Sequence, residues 1–194
     1  MTSWYAPLAR AIPALILAVI ITFSADHSSS LGLITFGFFG IVAGAVITAA
    51  ALRSARGIPR SLFFVQGVIT VLVGIASLAM SAGGLPFFVL LLSAWAVVTG
   101  FIEFYLGLRG RKSERAARDW IFVGALTVVL AVVVLVVPPD FVQTYIVEGI
   151  EGQLTASVIV VGTLGAYWAI LGVYLVIAAL TLKWAADAPA ASEA

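Results

Sequence analysis

The chain has 194 residues, 63% of them hydrophobic and only 10% charged, with a mean hydropathy of +1.19. Such values exclude a water-soluble core with a polar surface and point to an all-α integral membrane protein. With no cysteine and one histidine, His27, the chain is also barred from disulfides, thiol nucleophiles, iron–sulfur and cysteine–zinc sites, and most histidine metal centres.

A membrane-crossing helix needs about 20 apolar residues to span about 30 Å of hydrocarbon. Six stretches qualify, at about 8–23, 31–52, 62–81, 85–108, 120–137 and 157–182. The first is read as a retained helix and not a cleaved signal peptide, because cutting after Ala25 would place the bulky Phe23 at the outer recognition position. "SADHSSS" follows, with Asp26 and His27, and the second span ends at "RSARGIPRS". The third and fourth spans meet at the tight turn "AGGLP", and the fourth ends in "RGRKSERAARD". The fifth stops at a double proline, opening the long connection 138–156 with Asp140, Glu148 and Glu151. Within it, 141–154 is expected to lie on the membrane as a short amphipathic helix with Phe141, Tyr145 and Ile146 inward. The spans form one domain, 1–186, followed by a disordered tail at 187–194.

Charge is sorted along this plan. Arg10 precedes the first span, Arg53, Arg56 and Arg60 follow the second, and Arg109, Arg111, Lys112, Arg115 and Arg118 follow the fourth. Lys183 follows the sixth, so all 10 basic residues fall on one side of the alternation, while the opposite connections carry only acids and His27. The positive-inside rule makes the basic side cytoplasmic, with both termini inside a bacterial cytoplasmic membrane.

The spans also repeat. Gly44 and Arg53 have the same spacing as Gly100 and Arg109, and "GVITVLVG" from Gly67 to Gly74 aligns with "GALTVVLA" from Gly124. "AYWAILGVYLVIAALTLK" echoes "SAWAVVTGFIEFYLGLRG", with Gly172 against Gly100. The expected architecture is therefore three tandem parallel helical hairpins, at about 8–52, 62–108 and 120–182. Small residues recur every three or four positions: Ser93, Ala96, Gly100, Glu103 and Gly107 in the fourth span, Gly67, Thr70 and Gly74 in the third, Gly162, Gly165 and Gly172 in the sixth. Such stripes let helix backbones approach closely, so Gly44, Gly67, Gly74, Gly100, Gly107 and Gly172 are read as packing glycines.

The stretches "RSLFFVQGVITVLVGIASLAM", "LLSAWAVVTGFIEFYLGLRGRK" and "WIFVGALTVVLAVVVLVVPP", with the echo at Trp168 to Gly172, resemble the HdeD-like short-repeat family of bacterial inner-membrane proteins. The resemblance covers residues 60–183 well and the first hairpin weakly. It implies a six-helix membrane protein without established enzymatic activity, in a family whose name-giving member is associated with acid resistance. It carries no catalytic positions over, and the long connection 138–156 departs from its pattern.

Glu103 is the one carboxylate on a small-residue stripe. Two readings stay open: a proton- or cation-binding group of a small transporter or channel, or a structural polar pair, for which Gln66 on the third span is the expected partner. The corresponding places in spans two and six hold Ile47 and Leu175, so no relay of acids crosses the membrane. A water path reaching Glu103 from both sides would favour transport, and a sealed glutamate would favour structure. Asp26, His27, Asp140, Glu148 and Glu151 are candidate titrating groups on the outer face, with plain solvated loop, or a divalent-cation site, as the alternatives. The loop with Arg109, Arg111, Lys112, Arg115 and Arg118 is expected to lie on anionic lipid headgroups; no nucleic-acid partner is expected, because topology already requires these charges. No nucleotide loop, "HExxH" or catalytic triad is present, so a non-catalytic protein without cofactor is expected, with a second copy or another membrane protein as partner.

Overall fold

The structure, a computed structural model, describes residues 4–53, 57–112, 116–147 and 150–187. Among them are six helices: α1 (Tyr5–Phe23), α2 (Ser29–Arg53), α3 (Ile58–Ala79), α4 (Gly84–Gly110), α5 (Ala117–Val136) and α6 (Ala156–Asp187). All six are long and apolar enough to cross a membrane. Their outward faces carry exposed apolar side chains, among them Ile16, Leu72, Phe101, Val132 and Ile177, as contact with lipid requires. The tail from 188 onward lies outside the described residues, and α6 runs on through Asp187.

Local chemistry sets the boundaries. Ser28 accepts the Leu31 amide at 3.2 Å to cap α2, and Asp26 in turn accepts the Ser28 amide at 2.8 Å. Gly84, at φ +74°, makes the tight α3–α4 turn with a backbone conformation that a side chain would strain.

The connection after α5 is a β-hairpin, not the expected amphipathic helix. β1 (Val142–Val147) pairs antiparallel with β2 (Ile150–Thr155), in a register that sets Tyr145 opposite Gly152. Val142, Thr144, Tyr145 and Ile146 favour a strand, and the alternation of a strand puts Tyr145 and Ile146 on opposite faces instead of together inward. The Tyr145 ring covers Gly152, where an added methyl would lie 2.5 Å from Tyr145 Cζ.

The three hairpins are present in chain order, but their closest helix pairs run from one hairpin to the next. α2 packs most extensively on α3, α4 on α5, and α6 on α1, which closes a ring. Glycines make these approaches. A methyl on Gly44 would lie 2.7 Å from the Gly67 carbonyl oxygen, one on Gly74 2.8 Å from that of Gly37, and one on Gly107 2.8 Å from that of Ala117. Gly162, placed on the sixth-span stripe by spacing, departs from it, since a methyl there would meet nothing within 4 Å.

The contacts also reveal an approximate threefold order. Gly44 faces Val71, Gly100 faces Val128 and Gly172 faces Leu15. Counting back from the facing residues makes Arg10, Gln66 and Val123 equivalent, and likewise Ala14, Thr70 and Thr127; on the glycine-bearing helices Ile47, Glu103 and Leu175 correspond, as do Phe39, Trp95 and Tyr167.

Candidate functional site

The half of the ring toward the acidic connections is filled. Phe36, Phe88, Leu92, Val134, Leu164 and Trp168 are fully buried there, with Phe36 edge-on to Trp95 at 5.2 Å between ring centres. The half toward the basic loops is open. A vestibule with room for a few water-sized molecules is lined by residues of all six helices, among them Pro7, Ile47, Phe63, Trp120 and Leu175. Its walls are apolar except for Arg10, Glu103 and Asp119.

At its inner end Arg10 Nη1 donates to Glu103 Oε1 at 2.7 Å, with the two side chains 16% and 2% exposed. Glu103 is therefore paired with a full countercharge and not with Gln66, to which no hydrogen bond runs. A carboxylate in an apolar medium is costly unless paired, and a guanidinium neutralises it where an amide only solvates it. By charge sorting alone Arg10 counts with the basic residues that flank the spans. α1 instead begins at Tyr5, so Arg10 sits inside the helix and turns into the bundle.

Beyond the ion pair lies a narrower chamber with room for one water-sized molecule, lined by Gln66, Thr70, Trp95, Thr99, Thr127 and Tyr167 together with Arg10 and Glu103. The threefold order shows in its bonds. Trp95 Nε1 donates to Thr70 Oγ1 at 3.1 Å, and at the equivalent place Tyr167 Oη and Thr127 Oγ1 share a bond of 2.9 Å. The third place holds Phe39 and Ala14, which have no polar atoms to pair. Closer to the mouth Tyr174 donates to Asp119 at 2.8 Å.

Sequence reading missed Arg10, Asp119 and the aromatic–threonine pairs. The signal for the pairs was the repeat itself, since Thr70 aligns with Thr127, but nothing in one chain says that Trp and Tyr occupy the same place in successive units.

Among the described residues the outer-face candidates are not brought together as one site. Asp26 is engaged in capping Ser28, the His27 carbonyl accepts from Ser157 at 2.9 Å, and Asp140 is exposed ahead of the hairpin. Glu151 is on β2 across from Ile146, and Glu148 lies outside the described residues. Among the described residues no three of His, Asp and Glu are grouped to hold a cation. On the basic side Arg111, Lys112 and Arg118 are exposed and Arg109 donates to Tyr105 at 2.9 Å, while Arg115 lies outside the described residues.

Residues 65–136 match the model of a family described as a short repeat of unknown function (DUF308). The match covers a little over a third of the chain. The matched stretch runs from Val65 on α3 through α4 to the end of α5, and so includes Gln66, Thr70, Trp95, Glu103 and Thr127. No curated protein and no solved structure matches the chain. With six membrane-crossing helices around the short repeat, this is a multi-pass membrane protein.

Proposed function

We propose that the protein is a non-catalytic component of a bacterial cytoplasmic membrane, with both termini inside, in which the Arg10–Glu103 pair fastens the helix ring and moves no ion. The observation that carries this reading is the ion pair at the inner end of the vestibule, with a chamber for one water-sized molecule beyond it. Glu103 is neutralised by Arg10, and between it and the acidic connections stands a packed aromatic and aliphatic layer. Sorting of the basic residues supports the orientation, and exposed Arg111, Lys112 and Arg118 suit contact with anionic headgroups. The link to acid or envelope stress rests on the resemblance alone, and acid survival of a deletion strain tests it. Partnership with a second copy, or with another membrane protein, is tested by the mass of the detergent-solubilised assembly.

The functional test is proton flux into proteoliposomes carrying wild type or Glu103→Gln, with an acid pulse outside and a pH dye within. The expected result is no flux in either and a lower melting temperature for the variant. Flux in wild type that vanishes in a well-folded variant would overturn the proposal and make Glu103 the ion site of a small transporter or channel.

A further inference from the structure

Two buried polar atoms beside the inner chamber have no partner. Gln66, 2% exposed, lacks one at Oε1, and Arg10 lacks one at Nε. Both residues line the chamber. Arg10 Nε–H can only donate and Gln66 Oε1 can only accept, yet no hydrogen bond joins the two.

The neighbouring hydroxyls cannot serve Gln66. Thr70 gives its proton to the Gln66 backbone carbonyl at 2.7 Å, and Thr99 gives its own to the Trp95 carbonyl at 2.7 Å. Thr127 bonds the Val123 carbonyl at 2.7 Å, which leaves Tyr167 as donor in the bond that the two share. Every hydroxyl hydrogen around the chamber is thus committed.

The missing partner must accept one bond and donate another. It must be neutral, because Arg10 and Glu103 already cancel. It must also be no larger than water, since the chamber admits one such molecule. We infer that the chamber is a binding site for a single structural water that accepts from Arg10 Nε–H and donates to Gln66 Oε1. The intramembrane ion pair is thereby hydrated at its inner side, and Gln66 acts as a positioning residue for the water instead of as the partner of Glu103.

The test is radiolytic hydroxyl-radical footprinting of the full chain in lipid nanodiscs, with bulk water as the probe, since bound water generates radicals beside residues that solvent does not reach. Tyr167 and Trp95, which line the chamber, are expected to oxidise several-fold faster than Phe36 and Phe88, which are buried in the packed half, after correction for exposure and intrinsic reactivity. Equal protection of all four would overturn the inference. Gln66→Met keeps the volume and removes the acceptor. It is expected to lower both the Tyr167 oxidation rate and the melting temperature, whereas a higher melting temperature, as a dry orphaned acceptor would give, overturns the site. If that variant does not fold, the wild-type rates decide alone. None of these readouts depends on proton flux, so the water site and the proposed function stand or fall separately.

Discussion

Arg10 and Glu103 meet at 2.7 Å across the ring although they belong to α1 and α4, helices that share no extensive interface. The pair therefore ties together elements that helix packing alone leaves apart. Removing one partner strands the other charge in an apolar bundle, so Glu103→Leu and Arg10→Met are each expected to cost about 3 kcal/mol. The double variant Arg10→Met with Glu103→Leu is expected to recover most of that loss, because an apolar pair of similar size needs no countercharge. Unfolding in mixed detergent micelles measures all three. Additive losses would show that the two residues act independently.

Backbone approach at the glycines yields a prediction with a built-in control. A methyl on Gly124 would run into the Phe104 backbone nitrogen and come within 2.7 Å of the Gly100 carbonyl oxygen. Gly124→Ala is thus expected to destabilise by about 1–3 kcal/mol through forced separation of α4 and α5. Gly162→Ala, with nothing within 4 Å, is expected to be neutral or to stabilise by up to about 1 kcal/mol from helix propensity. Melting temperatures of the two variants compare them directly.

The two aromatic–threonine bonds occupy equivalent places and are expected to be of similar strength. A double-mutant cycle on Tyr167→Phe and Thr127→Val, read by unfolding, is expected to give a coupling of about 0.6 kcal/mol, the usual scale for polar pairs inside membrane bundles. The corresponding cycle on Trp95→Phe and Thr70→Val is expected to match it. A coupling near zero in both would mean that these bonds follow packing without adding to it.

An isolated two-stranded hairpin is marginal in water, and the one between α5 and α6 relies on the Tyr145 ring over Gly152. Replacing Tyr145 by Ser is expected to speed amide exchange in β1 roughly twofold to fivefold, as loss of a cross-strand pair of about 0.5–1 kcal/mol implies. Exchange within the six helices is expected to stay unchanged. Faster exchange in the helices as well would show that the hairpin supports the bundle.

Much of this architecture was legible in the sequence for a physical reason: hydrocarbon thickness fixes span length, and glycine spacing marks where backbones can touch. Span count, repeat offset and the burial of Glu103 follow from those rules. What escaped them depended on distance across the ring. The partner of Glu103 lies 93 positions away, and Gln66, nearer in sequence and in the equivalent place of the next repeat, looked the better candidate. The hairpin was lost because a short mixed stretch supports both periods, and only the pairing of Tyr145 with Gly152 decides between them.

The pairing of the last helix with the first has a consequence for how the chain is made. Of the six helices α1 leaves the ribosome first, yet its most extensive partner, α6, leaves it last. At about 5–20 residues per second the 93 positions between Arg10 and Glu103 take on the order of 5–20 s to translate. During that interval the insertion machinery must hold a helix with an uncompensated guanidinium near its start, and the ring can close only once the final span has entered the bilayer.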